Sequence, residues 1–422
     1  MDIIRIHGPS HLEGETYIQG SKNAALPMMA AAVLNGGQTV LENCPDISDI
    51  RTSVEILRSI GCTAELSGNT LTINSSGEIK PYIAPHLMCR LRSSFLFAGA
   101  LLARCGEVCA ALPGGCNIGA RPIDIHLESF KRLGAECNIA DKDVCCRIDK
   151  IKPCDVPLRF PSVGATENVM IFSALSDGVV RIVNAACEPE IKDLQNMLNS
   201  MGANISGAGT PVVTVRGVRR LHDAKYGIMP DRIVAATYLT ALACTRGCVR
   251  LCGASARHIS PYVAMLRGCG MNIYTTKDSI IAEKRHRLCG VVRVRTMPYP
   301  GFATDMQSLV MASLAVSDAV GVVQENIFEN RLCLADTLCK MGADIRIVGK
   351  TASVKGVRSL VPVRSDACDL RSGAALAAAM LSAEGTSEIG NLCYIDRGYE
   401  NFEKCLTSLG AKAERIETGD RR

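Results

Sequence analysis

The stretch LPGGCNIGARPIDIH, residues 112–126, places one thiol in a glycine-rich segment, five residues before an arginine. Glycine tolerates backbone angles that other residues avoid, so this segment predicts a mobile loop. A neighbouring guanidinium lowers the pKa of a thiol toward neutral pH, where a group that gives or takes a proton is most effective. The spacing of Cys116 and Arg121 therefore indicates a reactive thiol rather than a buried structural one. His126 alone could be a general base or a polar contact, and we favour a structural role.

Basic side chains also stand where several Ala-rich apolar segments begin, at Lys22, Arg92, Arg232 and Arg371. If these segments are helices, a cation at the N-terminus opposes the helix dipole. Side chains placed against local preference are expected where function requires them. We therefore interpret the four cations as binding phosphate or carboxylate groups, although solvated surface charge is the alternative. Acidic residues at matching positions have a capping explanation instead: Glu167, Asp231, Asp305 and Asp369.

Other kinds of site find less support in the sequence. IVGKT at 347–351 approaches a phosphate-binding loop but has Asp344 where that motif requires glycine. Cys244, Cys248 and Cys252 have a spacing that fits neither a zinc ribbon nor an iron–sulfur cluster. Most of the 21 cysteines lie in apolar runs, so we expect free core thiols and a reducing compartment.

The composition is that of a globular protein with a substantial core. The 422 residues are 47% hydrophobic and 21% charged, with a net charge of +5. This charge is too small, and aromatic residues at 4% are too few, to favour nucleic acid. The N-terminus lacks the apolar core of a signal peptide, and the most apolar helical run is half a membrane span. We expect a cytoplasmic protein without membrane insertion and without an obligate protein partner.

A repeated phrase, apolar–Gly–small–x–apolar, organises the chain. Its glycine occurs at positions 61, 134, 202, 270, 342 and 410, at intervals of 68 to 73 residues. A helical pattern precedes each glycine and an alternating pattern follows it, which predicts a helix that ends at a C-cap glycine and leads into a strand.

A second, Ala-rich helix opens each repeat and is apolar on nearly all sides, which predicts burial. The six predicted segments are 21–37, 92–106, 166–178, 231–247, 304–321 and 369–385. Pro27 must lie in the first turn of its helix, or that helix is kinked.

The predicted fold is α/β, with two domains that each contain three repeated β-α-β-α-β-β units around buried helices. We expect domains at 21–229, with the cysteine loop at 112–122, and at 1–20 with 230–422, and an active site in the cleft between them. A solenoid is the alternative, but the repeats are long and of mixed α/β type.

The chain resembles the UDP-N-acetylglucosamine 1-carboxyvinyltransferase family over essentially its whole length. The resemblance rests on the cysteine loop quoted above and on QGSKNAALPMMAA (19–31), FPSVGATEN (160–168), EPEI (188–191), MPDRI (229–233), FATDMQ (302–307), FENR (328–331), DLRSGAAL (369–376) and IDRGYE (395–400). It implies an inside-out α/β barrel fold and a transfer of the enolpyruvyl group from phosphoenolpyruvate to the 3′-hydroxyl of UDP-N-acetylglucosamine. The reaction is an addition followed by elimination of phosphate, without cofactor or metal, at the first committed step of peptidoglycan synthesis.

The resemblance also implies roles for individual residues. Four take part in the chemistry: Cys116 as proton donor, Asp305 as general base, and Lys22 and Arg397 on phosphoenolpyruvate. Fifteen more are expected at the substrates: Asn23, Arg92, Arg121, Pro122, Ile123, Asp124, Ile125, His126, Ser162, Val163, Gly164, Ile327, Arg331, Asp369 and Arg371. Among these, Arg121 also holds phosphoenolpyruvate, residues 121–126 line the uridine, and residues 162–164 meet the diphosphate. Asp369, together with Glu188, orients arginines and the loop.

The chain departs from the family pattern at three positions. Phe160 replaces a common Lys near the uracil, Cys187 a common Arg, and Val234 a common Glu. The shikimate-pathway enolpyruvyl transferase is a rival interpretation, but the GSKNAA motif and the PGGC loop disfavour it. An RNA 3′-phosphate cyclase would need a nucleophilic His in its own context, and a non-catalytic uridine-nucleotide sensor would not explain Cys116, Arg121, Asp305 and Arg397 together.

Overall fold

The computed structural model describes residues 2–114, 119 and 122–417. This part of the chain forms two compact units. The first contains the described residues of Gly20–Cys116 and Arg121–Met229, and the second those of Met1–Gln19, Asn117–Ala120 and Pro230–Arg422. We call them the 20–229 unit and the 230–417 unit, and each has its own hydrophobic core.

Regular elements alternate along the described residues. The strands are β1 Ile3–Gly8, β2 His11–Tyr17, β3 Gln38–Glu42, β4 Thr63–Ser67, β5 Thr70–Asn74, β6 Tyr82–Ile83, β7 Glu107–Ala111, β8 Glu136–Ala140, β9 Asp143–Arg147, β10 Asp155–Pro157, β11 Val179–Val183, β12 Asn204–Ser206, β13 Val212–Arg216, β14 Ala224–Gly227, β15 Arg246–Cys252, β16 Asn272–Thr275, β17 Ser279–Lys284, β18 Cys289–Arg295, β19 Asp318–Gln324, β20 Asp344–Val348, β21 Thr351–Lys355, β22 Arg364–Asp366, β23 Gly385–Gly390 and β24 Lys412–Ile416. The α-helices are α1 Lys22–Ala31, α2 Ser48–Ser59, α3 Pro85–Met88, α4 Leu96–Cys105, α5 Asp124–Arg132, α6 Val163–Ser173, α7 Pro189–Ser200, α8 Arg232–Cys244, α9 Ser260–Gly268, α10 Gln307–Ala315, α11 Leu334–Lys340, α12 Leu370–Met380 and α13 Phe402–Ser408.

Each unit contains three four-stranded sheets among the described residues, and all six sheets have the same plan. An edge strand pairs in parallel with its neighbour, and the next two strands follow in antiparallel order. The orders in the 20–229 unit are β14-β3-β5-β4, β6-β7-β9-β8 and β10-β11-β13-β12. Those in the 230–417 unit are β2-β15-β17-β16, β18-β19-β21-β20 and β22-β23-β1-β24. The predicted fold class and repeat are confirmed, as six separate sheets of the described residues.

Two edge strands pair with strands that are distant in the sequence. The order along the chain would place β2 beside β3, because β2 directly precedes α1. Instead β2 pairs in parallel with β15, and β14 pairs in parallel with β3. The N-terminal strand β1 likewise pairs with β23 and β24. Residues 2–19 are therefore part of the 230–417 unit.

The predicted C-cap glycines are confirmed at all six positions. Their φ angles lie between 92° and 104°, in the left-handed region that glycine adopts without a Cβ clash. In the first repeat, Gly61 N–H donates to Arg58 O at 3.2 Å and Cys62 N–H to Leu57 O at 3.0 Å. These two hydrogen bonds form a Schellman motif, which satisfies the last carbonyls of the helix and turns the chain into the next strand.

The Ala-rich helices form the centre of each unit. In the 20–229 unit α1, α4 and α6 contact one another, and in the 230–417 unit α8, α10 and α12 do so. The predicted burial is confirmed; every residue of α8, for example, is buried. The segment predicted as a helix over 304–321 is too long, because DAVGVVQ alternates in burial and forms β19. Pro27 is the sixth residue of α1, so the first-turn expectation is wrong, and the helix tightens into a 3₁₀ turn after Ala31.

The cysteines differ from the expectation of free core thiols. Of the eighteen free cysteines in the described residues, only five are buried: Cys44, Cys62, Cys146, Cys244 and Cys269. Apolar runs on strands alternate between two faces, so a cysteine such as Cys248 on β15 is exposed. Cys109 and Cys145 lie opposite each other on β7 and β9 and form a disulfide.

None of the described helices combines the length and apolar character needed to cross a membrane.

Candidate active site

Two buried arginines of the 230–417 unit share one carboxylate, that of Asp305. Asp305 lies in the 3₁₀ turn Thr304–Met306 that leads into α10. Arg331 Nη2 donates to Asp305 Oδ1 at 2.7 Å, and Arg371 Nη2 donates to Asp305 Oδ2 at 3.4 Å. Both arginine side chains are 3% exposed, whereas that of Asp305 is 27% exposed. The two cations therefore fix the direction of a carboxylate that solvent or a ligand can still reach.

Asp369 positions the backbone of Arg371 rather than its guanidinium. As the N-cap of α12, Asp369 Oδ1 accepts the amides of Arg371 at 2.8 Å and Ser372 at 3.0 Å. The predicted capping by Asp369 is confirmed, and Asp231 caps α8 in the same way. Arg371 Nη1 also donates to the Tyr399 hydroxyl at 3.3 Å. Burial disfavours the charged guanidinium, but the neighbouring Tyr399, Asp305 and Asp231 raise the pKa of Arg371 above its ordinary value.

Glu325 organises this cluster and was not predicted from the sequence. Its buried carboxylate accepts the hydroxyls of Thr296 at 3.0 Å and Thr304 at 2.9 Å, and the amides of Ile327 at 2.8 Å and Phe328 at 3.1 Å. Glu325 thereby joins the turn that carries Asp305 to the segment that carries Ile327. No spacing in the sequence marks it, because its donors come from three separate segments.

In the 20–229 unit, Lys22 begins α1 and forms a buried ion pair. Its Nζ lies 3.1 Å from Oδ2 of Asp49, in the first turn of α2, and both side chains are buried. Ser21 caps α1 by accepting the Ala24 amide, and Asn23 is the second residue of the helix. Asp49 was missed, because nothing in the sequence relates a helix-start acid to a cation 27 residues earlier.

His126 is a buried, neutral imidazole on α5. Asn168 donates through Nδ2 to Phe95 O at 2.9 Å and lies 3.0 Å from His126 Nδ1, while its Oδ1 accepts the Gly99 amide. This arrangement assigns Nδ1 as the acceptor and leaves the proton on Nε2. Burial, with a smaller contribution from Arg92, lowers the pKa of His126 to about 3.

The N-terminus of α6 carries the predicted diphosphate residues. Ser162 is the N-cap, and its Oγ accepts the Ala165 amide at 3.3 Å. First-turn amides of an α-helix have no intrahelical partner, so Val163 and Gly164 present N–H groups at the positive end of the helix. A Cβ at Gly164 would lie 3.2 Å from Cε1 of His126, so glycine permits this close packing.

Asp124 begins α5 and forms an ion pair with Arg159, which the sequence did not point to. Arg159 also donates to Glu128 at 2.5 Å. Ile123 is buried just before the helix, next to Pro122, and the Ile125 amide donates to Asp124. Phe160, where the family pattern has Lys, is 42% exposed.

The capping explanation for Glu167 is wrong. Glu167 is the fifth residue of α6 and is buried, and its Oε1 makes no hydrogen bond within the described residues. Burial, followed by the charges of Glu190 and Glu188, raises the pKa of Glu167 well above its ordinary value. Glu188 is the N-cap residue of α7.

The remaining predicted residues are placed as follows. Arg92 begins the 3₁₀ turn Arg92–Phe95 and Arg397 ends the 3₁₀ turn Ile395–Arg397, both half-buried. Cys116 and Arg121 lie outside the described residues. The structure thus brings Asp305, Arg331, Asp369 and Arg371 into one network.

Comparison with known proteins gives consistent relationships. The family model described as EPSP synthase (3-phosphoshikimate 1-carboxyvinyltransferase) matches residues 6–406. UDP-N-acetylglucosamine 1-carboxyvinyltransferase 2 of Caldanaerobacter subterraneus subsp. tengcongensis is 42% identical over 416 residues, 99% of this chain and 100% of that protein. UDP-N-acetylglucosamine 1-carboxyvinyltransferase of Finegoldia magna is also 42% identical, over 100% of both chains.

Solved structures share the fold at lower identity. The enolpyruvyl transferase NikO from Streptomyces tendae aligns with a TM-score of 0.88 at 23% identity, over 98% of this chain and 99% of that one. EPSP synthase from Acinetobacter baumannii aligns with a TM-score of 0.78 at 16% identity, over 99% and 100%. With the full-length sequence relationships, these alignments show that the chain belongs to the enolpyruvyl transferase family and, within it, to the UDP-N-acetylglucosamine 1-carboxyvinyltransferases.

Proposed function

We propose that this chain transfers the enolpyruvyl group of phosphoenolpyruvate to the 3′-hydroxyl of UDP-N-acetylglucosamine and releases phosphate. The observation that carries the proposal is the 42% identity, over essentially the whole length, to relatives named for this reaction. The charged clusters of the described residues support it, because the substrates carry phosphate, diphosphate and carboxylate groups.

The proposed reaction has two steps. In the addition, C3 of phosphoenolpyruvate gains a proton while the 3′ oxygen of the sugar loses its proton and bonds to C2. In the elimination, C3 loses a proton and the bond from C2 to the phosphate oxygen breaks. Cys116 is the proposed proton donor to C3, and Asp305 is the proposed base for the 3′-hydroxyl.

The geometry of Asp305 suits the proposed role. A base must be aimed before the reaction, and two guanidiniums and a 3₁₀ turn anchored by Glu325 hold this carboxylate in one direction. Because the side chain of Asp305 is partly exposed while both arginines are buried, the hydroxyl can approach the carboxylate without displacing its cations.

The anionic groups are assigned to cations and helix ends. Lys22, Arg121 and Arg397 are the proposed ligands of phosphoenolpyruvate, in a positive field to which Arg92, Arg331 and Arg371 contribute. The amides of Val163 and Gly164, with the Ser162 hydroxyl, are the proposed ligands of the diphosphate. For the uridine we propose residues 121–126, with Asn23 and Ile327 at the sugar.

The proposed chemistry requires no metal and no organic cofactor, since the cations above offset the developing charge. We also propose a cellular role in the first committed step of peptidoglycan synthesis, in the cytoplasm. Cell-wall biogenesis, cell shape and division would then depend on it, and the epoxide fosfomycin would inactivate it by alkylating Cys116.

The test measures phosphate release from phosphoenolpyruvate, with and without UDP-N-acetylglucosamine, in wild type and in Cys116→Ser. We expect release only with both substrates, block by fosfomycin, and a rate about 10²–10⁴ lower in Cys116→Ser. The matched control is Cys393→Ser, which removes an exposed thiol of the 230–417 unit.

Two outcomes would contradict the proposal. Phosphate release with shikimate 3-phosphate in place of the nucleotide sugar would favour the shikimate-pathway reaction. Binding of the nucleotide sugar without any phosphate release would favour a sensor. Equal rates in wild type and Cys116→Ser would remove the loop thiol from the mechanism while leaving the transferase reaction itself in place.

A further inference from the structure

Two thiols of the 230–417 unit nearly touch. Cys333 precedes α11, Cys368 precedes α12, and their Sγ atoms are 3.0 Å apart. Asp369 Oδ2 lies 3.5 Å from the first sulfur and 3.9 Å from the second. The two segments that meet at these sulfurs are therefore held side by side.

A metal ion fits this trio of side chains less well than a disulfide does. Cys333, Cys368 and Asp369 could supply three ligands. Two thiolates bound tetrahedrally to zinc at about 2.3 Å would, however, stand about 3.8 Å apart. The observed 3.0 Å is about 0.8 Å short of that separation and about 1 Å longer than an S–S bond of about 2.05 Å, so distance alone does not decide. The third ligand does, because the carboxylate of Asp369 already accepts the amides of Arg371 and Ser372 and the Ser372 hydroxyl.

Both thiols can be reached from outside. A pocket of about 350 Å³ is lined by Cys333 and Cys368 together with Asn330, Asp366 and Tyr394. The pocket is large enough for a small oxidant, and neither thiol is fully buried.

The pair also has one thiol suited to attack. The hydrogen bond from Cys333 lowers the pKa of Cys368, and the same contact raises the pKa of Cys333. Since the thiolate is the reactive form, we expect an oxidant to react with Cys368 first. Cys333 lies beside it and can then form a disulfide with the oxidised sulfur.

We propose that Cys333 and Cys368 are a reversible oxidation site, a dithiol that a hydroperoxide converts to a disulfide. The Cys368 thiolate attacks the O–O bond and becomes a sulfenic acid, and the hydroperoxide leaves as an alcohol, or as water from hydrogen peroxide. The Cys333 sulfur then bonds to the Cys368 sulfur and expels water. Two thiols are oxidised by two electrons and one peroxide is reduced; a dithiol reductant reverses the change.

Oxidation of the pair acts on the cluster around Asp305. Arg331 lies two residues before Cys333, and Arg371 lies three residues after Cys368. Closing the sulfurs moves the two segments together by about 1 Å, and a misplacement of that size costs about 10²-fold in rate. We expect a reversible loss of about ten- to a hundredfold in activity. This consequence for activity rests on the proposed function, whereas disulfide formation does not.

The experiment treats the full-length protein with hydrogen peroxide, blocks the remaining thiols, and maps cross-linked peptides by mass spectrometry. We expect a peptide that joins residues 333 and 368, which disappears after treatment with dithiothreitol. Cys333→Ser and Cys368→Ser should lack it, whereas Cys339→Ser, which removes an exposed thiol on α11, should keep it. If peroxide oxidises Cys339 but produces no link between residues 333 and 368, the proposal is wrong.

Phosphate release is measured on the same samples. Activity should fall in proportion to the fraction of this disulfide and return with dithiothreitol. In the two serine variants any loss from oxidation of Cys116 remains, but the part that follows the disulfide is gone. A full disulfide with unchanged activity would overturn the link to Asp305. Absence of activity before oxidation would instead count against the proposed function, while the peptide map still decides on the dithiol.

Discussion

The two units share one architecture but begin their buried helices with different chemistry. In each unit two central helices have a side-chain cap and the third is entered through a 3₁₀ turn. The caps are Ser21 and Ser162 in the 20–229 unit, and Asp231 and Asp369 in the 230–417 unit. A serine cap leaves the positive end of the helix available to an anion, whereas an aspartate cap already supplies the negative charge. The repeat thus determines the position of each helix start, whereas the N-cap residue determines the charge found there.

Buried titratable groups with a charged partner differ from those without one. In the 20–229 unit, burial dominates for His126 and Glu167, and it moves the pKa of each toward the uncharged form. By contrast, Lys22 pairs with Asp49 in the same unit, and in the 230–417 unit the buried Arg331 and Arg371 share the carboxylate of Asp305. A buried charge persists where a partner offsets the cost of desolvation and is disfavoured where none does.

The largest expected effect follows from removing that shared partner. Asp305→Asn takes away the proposed base and leaves two buried guanidiniums without their carboxylate. We expect kcat to fall by about 10²–10⁴, which is the usual contribution of a positioned base. The measurement is phosphate release with both substrates, at saturating and limiting concentrations.

The matched control for this change is Asp318→Asn, on β19 of the same unit. Asp318 pairs with Arg287 at 2.8 Å, and its side chain is 63% exposed. The Asp318 carboxylate is exposed and lies outside the proposed site, so this variant should keep wild-type kcat. Equal kcat in wild type and Asp305→Asn would show that the arginine-bound carboxylate is not the base.

The next effect tests the difference between the caps. Ser162→Asp gives α6 the kind of cap that α12 has, and places a negative charge where we propose the diphosphate binds. We expect KM for UDP-N-acetylglucosamine to rise about tenfold or more, equivalent to about 1.4 kcal/mol. Because a carboxylate suits a helix N-terminus, the protein itself should become about 0.3–1 kcal/mol more stable.

Opposite signs for affinity and stability distinguish this effect from damage to the fold. Ser260→Asp adds the same charge at the exposed start of α9 and should raise stability without changing KM. A KM unchanged by Ser162→Asp would mean that the diphosphate binds elsewhere.

Much of the scaffold could be predicted because it depends on local signals. Each of the six C-cap glycines requires only a left-handed residue at the end of an amphipathic helix, and such a requirement is visible in the sequence. The sequence analysis expected residues 1–20 with 230–422, but it did not predict that β2 pairs with β15 and β14 with β3, because both edge strands have similar neighbours. The sheet that each of these strands joins is determined by tertiary packing.

The residues of the candidate site also differ in whether the sequence could predict them. Cations at helix starts, such as Lys22 and Arg371, are visible because they oppose a local preference. Their partners Asp49 and Tyr399 are not, since each is ordinary in its own segment and becomes informative only through a long-range contact. Glu167 was misassigned for the same reason: its distance from the helix start, and the acidic neighbours around it, depend on where the helix begins and packs.

The last prediction concerns the stability of the 20–229 unit rather than activity. The pKa of Glu167 is raised in the folded protein above the ordinary value of 4.5, so folding favours its protonated form. Its contribution to stability is therefore complete below pH 4.5 and is lost as the pH rises through the folded-state pKa. Gln cannot ionise, so Glu167→Gln should match wild type at pH 4.5 and exceed it at pH 8, by about 1.4 kcal/mol for each unit of pKa shift that the pH has passed.

Urea unfolding of wild type and Glu167→Gln at these two pH values measures the difference in stability. Protonation of His126 affects both proteins equally, so it does not contribute to that difference. Glu65→Gln, at an exposed position on β4, is the control and should show no such pH dependence. If wild type and Glu167→Gln have equal stability at pH 8, the carboxylate must be compensated by a cation, as the carboxylate of Asp49 is by Lys22 in the same unit.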